Sequence, residues 1–126
     1  MIFAGPDAFS FDGRWERIRG HFDGRPGGTS SRSFHPGDLA TLTFSGRFVR
    51  LYGVVGPGGG TGLVEIDGGR LRRVVSFAAA AKDPDALVFT SPPLNGKRHR
   101  LSVAVLAPTA RASGRFVNIV GANYGG

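Results

Sequence analysis

The apolar residues of this chain recur with period two over most of its length, and that alternation limits the fold more than any other feature. Ala40, Leu42 and Phe44 share one face of "DLATLTFS", and Val64 and Ile66 alternate with Glu65 and Asp67 in "LVEID". Val49, Leu51 and Gly53 alternate with Arg50, Tyr52 and Val54 in "FVRLYGVV", and Leu101, Val103 and Val105 share a face in "HRLSVAVLA". Leu87 and Phe89 are expected on one face of "ALVFTS", and Val117 and Ile119 alternate with Phe116, Asn118 and Val120. In residues 71–76 two faces compete, Leu71/Arg73/Val75 against Arg72/Val74/Ser76. Residues at i, i+2 and i+4 line one side of a strand, whereas a helix face needs spacings of three and four. The longest helix-friendly run is Ala78–Lys82, and Pro84 closes it. With strands also expected around Phe9–Phe11 and Trp15–Arg19, the pattern predicts roughly eight or nine strands.

Turn chemistry separates these runs. Asp67-Gly68 and Asn95-Gly96 are expected to supply the positive φ values of two-residue hairpins. Ser45-Gly46 reads as a tight connection, and Ser91-Pro92-Pro93 ends a strand because proline removes ladder donors. Short strands at this spacing predict an all-β fold: a two-sheet antiparallel β-sandwich of jelly-roll type, as one domain over residues 1–126. Four connections read as longer than a hairpin needs: Gly20–Ser33, Gly56–Gly62, Ala78–Asp85 and Pro108–Gly114. Long loops on a rigid sandwich are where binding surfaces usually lie.

The residues exclude several kinds of chemistry. Seven of the fourteen residues in "GPGGGTGLVEIDGG" are glycine, but Gly62 leads into the strand-like Leu63-Val64-Glu65. A phosphate loop needs a helix there, so Pro57–Gly60 is expected to turn the chain. His21, His35 and His99 are the only histidines, and no Gly-x-Ser-x-Gly elbow accompanies them. His99 is expected at a strand edge rather than as a base. Asp23 with Asp83 or Asp85 is the pairing of carboxylates that could mimic a glycosidase. None of this amounts to a catalytic set, and no enzymatic activity is expected. The chain has no Cys, its histidines do not cluster, and it lacks an Asp-rich calcium loop, so no cofactor is expected. A structural calcium held by backbone carbonyls stays open. The start "MIFAGPDAF" lacks the marks of a signal peptide, no run approaches a membrane span, and the compartment is left open.

What remains is binding. Sixteen Lys and Arg against nine Asp and Glu give a net charge of +7. That balance suits an anionic partner, although the arginines are scattered, as coding bias would also leave them. Sugar recognition needs rings for C–H faces and planar polar groups for hydroxyl pairs. Trp15, Phe22, Phe34, His21 and His35 offer rings, while Asp23, Arg25 and Arg32 offer polar groups. Trp15 and Phe34 can equally cap the core. The candidate ligand-binding set is Trp15, His21, Asp23, Arg25, Arg32 and His35.

The string "DLATLTFSGRFVRLYGVVGPGGGTGLVEIDGG" resembles the centre of the galactose-binding-like β-sandwich modules appended to bacterial glycoside hydrolases and carbohydrate esterases. The matching positions are Thr43, Phe44, Gly46, Val49, Leu51 and Gly53, then Val64, Ile66, Asp67 and Gly68. Gly13 and Trp15 match the opening of such modules, and Leu94, Gly96, His99, Leu101 and Val103 match a later segment. The resemblance covers about residues 9–124, ending in "GRFVNIVGANY". It implies a non-catalytic carbohydrate-binding module whose partner is a glycan, beside a neighbouring catalytic domain and extracellular if the parent enzyme is secreted. Two departures matter. Val117-Asn118-Ile119-Val120 lacks the Asp that often holds calcium there, and Val75-Ser76-Phe77-Ala78 lacks a ligand-facing aromatic. The high positive charge implies an acidic glycan. The rival readings are a structural or interaction sandwich domain of a larger enzyme, and a basic polyanion binder; nucleic acid is the less expected partner.

Overall fold

The computed structural model describes residues 2–22, 25–110 and 113–126, with backbone only for 20–22 and 25–28. Its strands are β1 (Ile2–Ala4), β2 (Ser10–Asp12), β3 (Glu16–Phe22), β4 (Arg25–Ser33), β5 (Leu39–Ser45), β6 (Phe48–Val55), β7 (Thr61–Ile66), β8 (Leu71–Ser76), β9 (Asp83–Thr90), β10 (Arg98–Val105) and β11 (Val117–Gly125). One 3-10 turn, Pro6–Ala8, lies between β1 and β2. The first sheet has the order β3-β4-β11-β6-β9, with β1 also on β11, and the second has the order β2-β5-β10-β7-β8. The pairings within both sheets are antiparallel. From β4 to β7 and again from β8 to β11 the chain crosses between sheets at every step, the path of a jelly roll. The expected β-sandwich is therefore the fold observed.

The alternation delivers the core. Leu42, Phe44, Val64, Ile66, Leu101 and Val103 from the second sheet meet Val49, Leu51, Val117 and Ile119 from the first. In β8 the Val75 face turns inward and leaves Val74 exposed.

Several expectations are corrected. There are more strands than expected, because Gly20–Ser33 is not a loop: it forms most of the β3–β4 hairpin. Gly and Ser are poor strand formers, but β4 is locked between β3 and β11, with Ser31 and Ser33 buried. Leu87 and Phe89 do not share a face. Leu51 pairs with Phe89 while Tyr52 pairs with Leu87, so a bulge at Val88 buries Phe89 and turns Leu87 outward. The turn after β7 is a four-residue loop from Asp67 to Arg70 rather than a two-residue hairpin, with positive φ at Asp67, Gly68 and Gly69. Asn95-Gly96 makes no hairpin, because it lies where the chain crosses from β9 to β10 in the other sheet. Pro84 is inside β9, which tolerates it as the outer strand of its sheet.

The glycine-rich stretch is a turn, as expected. Gly59 N–H donates to Gly56 O at 3.0 Å, with Pro57 next and Gly58 at φ 84, the arrangement of a type II turn. Gly60 N–H then donates to Phe116 O, and Phe77 N–H donates to Gly60 O. A side chain at Gly59 would place its Cβ 1.8 Å from the Phe77 carbonyl oxygen. Gly59→Ala is therefore expected to destabilise the protein by at least the roughly 1–3 kcal/mol of an overpacked core. The exposed Pro57→Ala should cost about 1 kcal/mol or less, and denaturant unfolding of the two variants compares them.

His99 lies at the start of β10, where β10 extends beyond β7, and is buried with 7% exposure. Its Nδ1 is 2.7 Å from Asp67 Oδ2 and its Nε2 is 2.8 Å from Asn95 O. Both partners are acceptors, so both ring nitrogens donate and the imidazolium is the form that fits. The Asn95 carbonyl and then the Asp67 carboxylate raise the His99 pKa against the effect of burial. Burial also opposes the Asp67 charge, but the His99 and Arg100 hydrogen bonds and nearby positive charges together hold its carboxyl below the usual range. A raised histidine pKa contributes stability that is complete below the unfolded value, about 6.5, and is lost as pH rises through the folded value. The melting temperature is expected to fall as pH climbs through and above the ordinary histidine range. His99→Gln should flatten that limb in a thermal-unfolding series.

A cleft on the outer face of the first sheet

Strands β3, β4, β11 and β6 lie side by side in the first sheet, and their outward residues form the floor of an open cleft of about 170 Å³. Ile18, Arg32, Asn118 and Val54 come from these four strands in turn. Register explains the grouping: Asn118 is the Cα partner of Arg32, and Ile18 is the partner of Ser30, two residues before Arg32. The rim is made by connections. Val55, Gly56 and Pro57 lead into the glycine-rich turn, Lys82 precedes β9, and Phe116 precedes β11.

These rim connections are tied together by backbone. Gly56 N–H donates to Phe77 O, Ala79 N–H to Gly56 O, and Arg115 N–H to Gly58 O. The cleft thus has an apolar wall from Ile18, Val54, Val55, Pro57 and Phe116, two cations, and no carboxylate among its lining residues. The Arg32 guanidinium pairs with Glu16 and lies 4.8 Å from the centre of the Phe34 ring.

The polar floor is unusual. Among the described residues, Ser30 Oγ, Arg32 Nε and Asn118 Oδ1 are the buried side-chain atoms without a hydrogen-bond partner. Ser30 is fully buried and Asn118 is 5% exposed. All three belong to two neighbouring strands. Buried polar atoms in folded proteins are nearly always paired, and an unpaired one costs about 1–3 kcal/mol. A site built this way can offer an acceptor and a donor to hydroxyl or carboxylate groups beneath an apolar wall.

The structure describes the side chains of three of the six residues expected from the sequence. Arg32 lies in the cleft. Trp15 packs against Phe11 at 5.0 Å between ring centres, and its indole N–H donates to Asp12 O. His35 is exposed in the turn between β4 and β5, where its N–H donates to Ser33 Oγ. His21 and Arg25 belong to β3 and β4, with their side chains outside the description, and Asp23 lies outside the described residues altogether. Sequence reasoning missed Ile18, Val54, Asn118 and Phe116 as cleft residues. Asn118 carried one visible signal, as the amide standing where the modules that this sequence resembles often have Asp.

Comparison with known proteins bears on the fold. No family model matches the chain, and no curated protein matches it. Solved structures do. A cycloisomaltooligosaccharide glucanotransferase from Paenibacillus sp., complexed with cycloisomaltoheptaose, superposes on 98% of this chain with a TM-score of 0.70 at 14% identity. The chain spans only 18% of that enzyme's length. The CBM36-1 domain of a multidomain xylanase from the hindgut metagenome of Trinervitermes trinervoides matches with a TM-score of 0.59 at 14% identity, covering 99% of this chain and 96% of that one. A carbohydrate-binding module CBM36 in complex with calcium and xylotriose matches with a TM-score of 0.57 at 10% identity, covering 97% of each chain. The chain has the β-sandwich fold that these carbohydrate-binding modules share.

Proposed function

We propose that the protein is a non-catalytic glycan-binding module, one unit of a larger extracellular enzyme, and that a sugar residue occupies the cleft of the first sheet. The unpaired buried atoms of Asn118 and Arg32 beneath an apolar wall carry this reading. A pyranose has the matching chemistry, with one C–H face for Phe116, Ile18 and Val54 and hydroxyls for the polar floor. The Arg32 guanidinium, a planar donor, suits pairs of sugar hydroxyls even while it is paired with Glu16. The fold shared with a module solved with xylotriose supports the same reading.

That neighbour was also solved with calcium. Here, among the described residues, no group of three or more His, Asp or Glu is placed to hold a metal ion. The contacts proposed for the cleft are Asn118, Arg32 and an apolar wall, and EDTA tests for a calcium requirement. Arg32 is the member of the sequence-derived set that the cleft uses. His21 and Arg25 belong to β3 and β4, the strands that supply Ile18 and Arg32, and alanine at each, and at Asp23, tests whether these residues reach the ligand.

Calorimetric titration with xylotriose, isomaltotriose and trigalacturonate tests the proposal. At least one is expected to bind, unchanged by EDTA, with Arg32→Ala weakening it by about tenfold, or 1.4 kcal/mol. Asn118→Ala should weaken binding while costing no more than about 1 kcal/mol of stability in denaturant unfolding, since the Oδ1 it removes is already unpaired. Absence of binding by all three would overturn the proposal. Steep salt-sensitive binding to every polyanion tested, heparin and DNA included, would favour the polyanion reading instead.

A further inference from the structure

The outer face of the first sheet continues beyond the cleft, and its residues have the same chemistry. Tyr52 precedes Val54 by two on β6, so both project outward while Leu51 is buried in the core. Tyr52 pairs with Leu87 on β9 and with Gly121 on β11. Gly121 has no side chain, and the Phe3 ring of β1 fills the space above it, with its Cζ 2.7 Å from where a Cβ would stand. One step along, Phe3 pairs with Asn123, and Asn123 pairs with Arg50. The Asn123 amide N–H donates to the Tyr52 hydroxyl at 3.3 Å.

The result is an apolar platform with a polar border. Phe3 and Leu87 are 56% and 52% exposed, two of the few large hydrophobic side chains left so open. Asn123, Arg50 and the Tyr52 hydroxyl place hydrogen-bonding groups around them. A contiguous exposed apolar patch rimmed by polar groups is a candidate interaction surface. At about 3.3 Å per residue, Tyr52 stands roughly 7 Å along β6 from Val54, and Arg50 roughly 13 Å.

We infer that this platform is a second sugar subsite, continuous with the cleft, and that the protein binds the interior of a polysaccharide chain laid along β6 rather than a chain end. Tyr52 and Phe3 take the C–H faces of sugars next to the one in the cleft, and Asn123 and Arg50 take their hydroxyls. The inference rests on the glycan-binding reading of the cleft. Continuity along β6 selects the occupant, because a chain leaving the cleft toward β1 must pass over these residues.

The test is calorimetric titration of the protein with the xylose, α-1,6-linked glucose and galacturonate series from one to six units. With the series that binds, affinity is expected to rise with length by about tenfold or more between the monosaccharide and the hexamer. Tyr52→Ala should remove most of that gain while leaving the monosaccharide's affinity in the cleft unchanged. Phe3→Ser, at an exposed ring near the chain start, should act in the same direction and keeps the test valid if Tyr52→Ala does not fold. Equal affinity for monosaccharide and hexamer, or a length gain untouched by both variants, would overturn the second subsite and leave the cleft reading standing. Failure of every series to bind would overturn both. Loss of hexamer and monosaccharide binding together in a folded Tyr52→Ala protein would also overturn it, since the platform would then not be a separate subsite.

Discussion

The architecture around the cleft depends on how Phe77 is held. Its side chain is fully buried, the largest in the core to be so. A Cβ at Gly53 would lie 2.6 Å from the ring, so the ring packs directly on the β6 backbone where any side chain would displace it. Its peptide groups are used on both sides: the N–H donates to Gly60 O, and the carbonyl accepts from Gly56 N–H. One residue thus joins the β6–β7 and β8–β9 connections and plugs the end of the sandwich. Phe116 extends the same knot, since its carbonyl accepts from Gly60 N–H. The rim residues Gly56, Pro57, Lys82 and Phe116 come from three separate connections, and this knot is what sets them around one opening. A binding site on loops is only as well placed as the scaffold beneath it.

This explains what the sequence could and could not reveal. The alternation in β5, β6, β7 and β10 named the core because each of those strands has one buried face and a polar complement. The β3–β4 hairpin was illegible because "GGTSSRS" has little strand propensity, and its strand state comes from neighbours distant in sequence. Bulges were equally hidden. The extra residue at Val88 is defined only by the partner strand, and it alone puts Leu87 outside. Asp67-Gly68 was recognised as a turn but not as a four-residue one. Its geometry is set by the Asp67 carboxylate, which reaches His99 and Arg100 on another strand.

The site shows the same limit. Arg32 was legible as a polar group beside rings, but its partners were not. Ile18, Asn118 and Val54 are brought to it by register across four strands, and no spacing in the sequence encodes that order. Trp15, the obvious ring, does not line this cleft, and it contacts Phe11 and Asp12. The charge pattern was equally unreadable one residue at a time. Arg32 with Glu16, Arg17 with Asp7, and Arg72 with Glu65 show cations answered by carboxylates across strands. Net charge therefore overstates how many cations await an external partner.

The unpaired polar atoms connect fold to function. A sandwich of this size has a stability of roughly 5–15 kcal/mol, and buried atoms without partners at about 1–3 kcal/mol each would consume a sizeable part of it. They occur side by side on β4 and β11, under the cleft, while the rest of the interior is apolar or paired among the described residues. A ligand that hydrogen-bonds Asn118 and Arg32 would complete pairing that the fold leaves unmade in the cleft. Binding and stability are then coupled through the same atoms, as they are for any ligand that recognises only the folded state.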